Sequence, residues 1–131
     1  MQRWKYPRLP RVSLFAGAFL LAFPAYGEPF ADWDRTDSML LGSALTLTAI
    51  DWGQTRDIAQ HPERFSESNP ILGAHPSVGR VDNYFLISMA GIVGLSAVLP
   101  SRTRKYVLGG VTFVEAVVVI NNHGAGIRVS F

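Results

Sequence analysis

Three long apolar runs, at residues 39–50, 84–99 and 106–120, constrain what this chain can fold into. Apart from a few hydroxyls, Asn-free and mostly charge-free, they carry only Glu115 as an acid. None alternates at period two over about ten residues, as membrane-barrel strands must. They therefore read as helices. With only 17% charged residues against 48% hydrophobic, and a mean hydropathy of +0.18, the chain sits well below the roughly 25% charge of soluble domains. Apolar helices in such a chain point to a lipid bilayer as the partner phase. The length of 131 residues suits one domain.

The absence of cysteine excludes disulfides, thiolate metal sites, a lipid-modified cysteine anchor and cysteine nucleophiles. The pI of about 9.3 does not indicate a nucleic-acid partner. Arg3, Lys5, Arg8 and Arg11 lie in the first eleven positions, and all ten acids follow Gly27. Beyond Gly27 eight basic residues face ten acids, a net charge of −2, and no basic patch survives.

Residues 1–11 form a cationic leader, 12–23 an apolar stretch, and Pro24 a break before the small residues Ala25 and Gly27. That is the anatomy of a secretory signal peptide cleaved before Glu28. The apolar stretch of about twelve residues is short for a span, which needs about twenty. The competing reading is an uncleaved signal anchor, adding a fourth helix. Export predicts a location in the inner, cytoplasmic membrane of a bacterium.

Residues 28–36 read as an interfacial lead-in, with Phe30 and Trp33 as belt aromatics. Asp37 or Ser38 is a suitable N-cap for a first helix reaching Gln60, since His61 precedes a proline. At 1.5 Å per residue that helix is about 35 Å long, enough to span with tilt. Gly42, Thr46, Ala49 and Gly53 form a small-residue stripe suited to close helix packing, with Asp51 on the opposite, polar face. Residues 62–76 hold three prolines and form a loop, in which Glu67 is placed to accept bonds from turn amides. Ser77 caps a second helix that Pro100 ends, with Ala90 and Gly94 as another small pair. Ser101 or Thr103 caps a third, and Gly124 is the expected left-handed stop. Residues 127–131 alternate, so a hairpin of 117–120 with 127–131 competes with the helical ending. The expected fold is all-α: a small helical membrane bundle of three spans after a signal peptide, with helices at about 37–60, 77–99 and 103–122 in one domain of residues 28–131. Basic residues divide evenly between the two sides of such a bundle, so the positive-inside rule does not orient it.

In a three-span bundle the first and third helices run parallel. Counted from their starts, Asp51 and Glu115 fall at depths agreeing within a turn. Two carboxylates at one level, with Thr48, Thr55, Thr112 and Ser88 around them, suit a proton or ion relay. The plainer reading is polar glue between helices, with Asp51 bonded to Gln54 or Arg56, and Glu115 to a hydroxyl or Arg56. His61, His75 and His123 lack metal-ligand spacing, and no serine sits in a nucleophile-elbow motif. No metal, cofactor or catalytic residue is expected. The candidate polar site is Asp51, Gln54, Thr55, Arg56, Glu67, Asn69 and Glu115.

The pattern Asp51-Trp52-x-Gln54-Thr55-Arg56, then Glu67-x-Asn69-Pro70-Ile71-Leu72-Gly73, then a helix pair resembles a family of small bacterial membrane proteins of unknown function. The likeness covers residues 37–122 and marks Asp51, Thr55, Glu67, Asn69 and Pro70. It implies a helical membrane protein and no particular activity. The expected role is a non-enzymatic membrane component acting through contacts with a second copy or a membrane-protein partner, within the lipid bilayer and without nucleic acid. The alternative is a proton or ion relay using Asp51 and Glu115.

Overall fold

The first helix, α1 (Arg35–Gln60), starts earlier than the apolar pattern predicts, because a capping box outranks it. Asp34 is the N-cap, and its carboxylate accepts the Asp37 N–H at 2.9 Å. Asp37, expected as the cap, is the third helical residue, and its carboxylate accepts the Asp34 N–H at 3.1 Å. The helix stops at His61 before Pro62, as expected. The computed structural model describes residues 28–131; the expected signal peptide lies outside the described residues.

Helix α2 (Val78–Val98) is capped by Ser77, whose hydroxyl accepts the Arg80 N–H at 3.3 Å, and ends before Pro100 as predicted. Helix α3 (Ser101–Gly124) begins directly after Pro100, without a side-chain cap from Ser101 or Thr103. Proline already holds a helix-compatible φ, here −55°, and its carbonyl accepts the Arg104 N–H at 2.9 Å. The far end of α3 also departs from expectation. Gly124 stays helical, and Gly126 takes the left-handed position with φ 84°. The Gly126 N–H bonds the His123 carbonyl and the Ile127 N–H bonds the Asn122 carbonyl, both at 3.0 Å. Those two bonds define a Schellman ending, with Ile127 buried.

Two contacts with the same sequence offset show that α1 and α3 run parallel. Asp34 pairs with Lys105 at one end and Asp51 with Asn122 near the other, both 71 residues apart. Antiparallel to them runs α2, whose Asp82 meets Arg56 late in α1 while Ala97 accepts the Phe30 N–H beside the start of α1. The result is an up-down-up bundle in which α1 packs on both neighbours. No strand occurs among the described residues, so the hairpin reading is wrong. Residues 127–131 instead fold back along the end of α1, because the Schellman turn reverses the chain toward it.

The faces of α1 depart from those expected. Ala44, Thr48 and Thr55, on the side of Asp51, are buried, whereas Gly42 and Thr46 of the small-residue stripe are exposed and only its far end, Gly53, is buried. On that side Asp51 and Gln54 find partners on α3, the Asn122 amide and the Val119 carbonyl. Ala90 and Gly94 are exposed as well. Buried polar groups (Asp37, Thr48, Gln54, Thr55, Asp57, Ser96 and Arg104) nearly match the buried hydrophobics in number, while Met39, Leu86, Ile87, Tyr106, Phe113 and Ile120 face outward. Among the described residues only α2 is long and apolar enough by itself to cross a bilayer.

Candidate functional site

The loop after α1 is built by its own polar side chains. Glu67 Oε1 accepts the N–H groups of Ser68 and Asn69, each at 2.7 Å, as the sequence predicts. Asn69 Oδ1 accepts the Ile71 N–H at 2.9 Å, an Asx turn, and its carbonyl accepts from Leu72 and Gly73. Leu72 thereby reaches the apolar cluster of Val81 and Phe85, with Trp52 and Tyr84 beside it. This anchors the loop over the end of the bundle.

Between that loop and the helices lies a cavity of about 130 Å³. Asp51 and Thr55 enter it from α1, Glu115 and Asn122 from α3, Tyr84 and Phe85 from α2, and Glu67 and Asn69 from the loop. Val114, Val118 and Leu72 complete apolar walls. Asp51 and the Glu67 motif, which the sequence places in separate structures, share one chamber. No basic side chain lines it. Three carboxylates in a partly enclosed space repel one another, and their charge must be balanced by protons, water or an entering cation. Among the described residues no three His, Asp or Glu side chains converge closely enough to hold a metal ion.

The two helix acids open on the same cavity, at levels within about one turn of each other. Asp51 accepts a hydrogen bond from Asn122 Nδ2 at 3.1 Å. Glu115 lies beside Thr48, three residues before Asp51, or roughly 4.5 Å along the axis. Glu115 Oε2 and Thr48 Oγ1 are buried with no hydrogen-bond partner. Thr112 turns back to its own helix, bonding the Leu108 carbonyl at 2.8 Å, and Ser88 is not in the wall.

Two candidate residues serve packing instead. Arg56 donates to both oxygens of Asp82 at 2.5 and 2.7 Å, and Trp52 Nε1 donates to the same carboxylate at 2.8 Å. Asp51 thus has no bond to Arg56. Gln54 Nε2 donates to the Val119 carbonyl at 3.2 Å, joining α1 to α3. Of the histidines, His61 sits 3.1 Å from Asp57, whose other oxygen accepts the Arg128 N–H at 2.9 Å. Asn122 was missed by sequence reasoning, since an Asn-Asn pair before His and Gly reads as a helix stop.

A second polar cluster, also missed, closes the opposite end of the bundle. Arg104, fully buried, lies with Nε 3.2 Å from Asp37 Oδ1. Its Nη atoms donate to the carbonyls of Ala31, at 3.3 and 3.4 Å, and Ser96, at 3.5 Å. The guanidinium stacks 4.6 Å from the Trp33 ring, so this aromatic is pinned by the bundle. One residue therefore ties the lead-in, α1, α2 and α3 together. The basic turn in the sequence hides it among Arg102 and Lys105. Comparison with protein-family models, with curated proteins and with solved structures finds no match for this chain in any of the three.

Proposed function

We propose that this chain is a small integral membrane protein of three spans whose acid-lined cavity is a station in a proton relay across the membrane. What supports a bilayer setting is the distribution of polarity. Polar and charged side chains take nearly as many buried positions as apolar ones, while large apolar residues such as Ile87, 72% exposed, and Phe113, 70% exposed, lie on the outside. Water penalises such a surface, whereas lipid satisfies it. The pairing of Asp34 with Lys105 and of Asp37 with Arg104 lowers the cost of placing α1 and α3 beside α2 in lipid. The resemblance to small bacterial membrane proteins, and location in the inner membrane, belong to the same reading.

The observation that carries the proton role is the cavity of Asp51, Glu67 and Glu115 without a basic residue. Its acids face the end where the loop lies, and the Arg104 cluster fills the other end. The reading is tested in vesicles enclosing a pH-sensitive dye, with proton flux measured for the wild type, Asp51→Asn and Glu115→Gln. Flux above that of empty vesicles is expected, reduced at least tenfold in each variant. Equal flux in all three proteins, or none in the wild type, sinks the proposal.

A second reading, a non-enzymatic component acting by helix contacts, is favoured by the unoccupied space over Gly42, Gly91 and Gly94. It predicts a dimer or a co-purifying membrane protein in mild detergent. A lone monomer counts against it.

A further inference from the structure

The Schellman ending of α3 joins two features that the proton reading leaves separate. Asn122 holds Asp51 in the cavity with its side chain, at 3.1 Å. With its carbonyl the same residue accepts the Ile127 N–H that starts residues 127–131 on their path back along α1. That return segment is held by few bonds. The Arg128 N–H donates to Asp57 Oδ2 at 2.9 Å, the Ser130 N–H to the Gly53 carbonyl at 3.0 Å, and the Ser130 hydroxyl to Gln60 Oε1 at 2.9 Å.

Gly53 makes the docking possible. A Cβ there would lie 2.5 Å from Val129 Cγ1 and 3.1 Å from two atoms of the Phe131 ring, so the segment rests on bare helix backbone. The Phe131 ring meets Trp52 edge-on at 5.8 Å, and Trp52 stacks on Phe85 of the cavity wall at 6.3 Å. Yet Arg128, Val129 and Phe131 remain exposed, and only Ile127 is buried. Few buried apolar contacts and exposed bonds are the marks of a segment that opens locally without global unfolding.

We propose that residues 127–131 are a latch on Gly53 that controls access to the Asp51 carboxyl through Asn122 and Trp52. Docked, the segment keeps the last turn of α3 wound, so that Asn122 covers Asp51. Released, it frees that turn and one face of Trp52, and Asp51 opens to reagents from the loop side. This goes beyond the proton reading, because it concerns how the carboxyl is reached and not what it binds.

The chain has no native cysteine, so a designed pair gives a clean lock. Gly53→Cys with Val129→Cys puts a sulfur bridge where Val129 Cγ1 meets Gly53 and should form a disulfide with mild oxidant in vesicles. The reduced pair, whose new Cβ still crowds the Phe131 ring, is the unlocked form. The rate of modification of Asp51 by a hydrophobic carbodiimide, read by mass spectrometry, is then compared among forms. Ser130→Pro, which removes the N–H donated to Gly53, should raise the rate at least fivefold. Phe131→Ala, which leaves the backbone unchanged, should raise it twofold or more. Adding the disulfide to either variant should return the rate to that of the wild type. Failure of the disulfide to form, or equal rates in locked and unlocked forms (zero included), overturns the latch. Because the readout is chemical access to one carboxyl, the latch can fail while proton flux persists, and can hold where flux is absent.

Discussion

Arg104 shows how much one side chain can carry in a bundle with so small an apolar core. Its charge is buried against Asp37, and its fork reaches carbonyls of the lead-in and α2. Arg104→Leu would leave Asp37 buried with no cation, a change that costs about 3–5 kcal/mol in comparable sites. Unfolding by rising detergent denaturant should show that loss, and Asp37→Leu added to Arg104→Leu should recover most of it. If the single and double variants are equally unstable, the pair is not the source. Next to it, Asp34 titrates on the surface. The hydrogen bond from Lys105, and then that from the Asp37 N–H, hold its pKa below the ordinary 3.8. A carboxylate with a lowered folded pKa stabilises the fold above its unfolded value and stops doing so as pH falls through the folded one. The protection of amides in the first turn of α1 against hydrogen exchange, taken relative to the intrinsic rate at each pH, should therefore fall below about pH 4 in the wild type. In Asp34→Asn that pH dependence should vanish.

At the scale of elements, the sequence disclosed what is set by neighbours in the chain. Ser77, Pro62, Pro100 and the Glu67 turn are local devices, and each falls where its chemistry requires. What was not legible depends on residues far apart. The capping box at Asp34 was overlooked because the apolar run starts only at Met39. Of the small-residue stripe on α1 only Gly53 packs closely, because small residues permit packing whereas the choice of face follows partners on α3 such as Asn122 and Val119. Five of the seven candidate site residues gather in the cavity, and Gln54 and Arg56 do not. The loop turn gives an element-level prediction. Asn69→Ala removes the acceptor for the Ile71 N–H and should cost about 1 kcal/mol, a typical net hydrogen bond. Exchange at Ile71 should rise with it, while the exchange pattern of α3 stays unchanged.

The whole molecule turns on whether α1 and α3 cross the bilayer with α2 or lie along it. Asp34–Lys105 and Asp51–Asn122 tie α1 to α3 over most of their length, so the two must share one orientation. Arg56–Asp82 and Trp52–Asp82 tie α1 to the start of α2. If α2 spans, the pairing requires α1 and α3 to span beside it. Moving the two together into the interface would break the Arg56 and Trp52 bonds to Asp82 and part Arg104 from the Ser96 carbonyl. The geometry then places the loop with Ser66 and the return segment with Ser130 on one side, and Asp32 and Thr103 on the other. Single cysteines at these four positions, labelled by an impermeant thiol reagent in sealed vesicles, distinguish the arrangements. Ser66→Cys and Ser130→Cys should react alike, and Asp32→Cys and Thr103→Cys should react only after the vesicles are opened, or the reverse in inverted vesicles. Reaction of Thr103→Cys together with Ser130→Cys but not Ser66→Cys would mean that α3 lies in the interface, and reaction of Asp32→Cys together with Ser66→Cys would mean the same of α1. The bundle described here would then be the arrangement that the bilayer pulls apart.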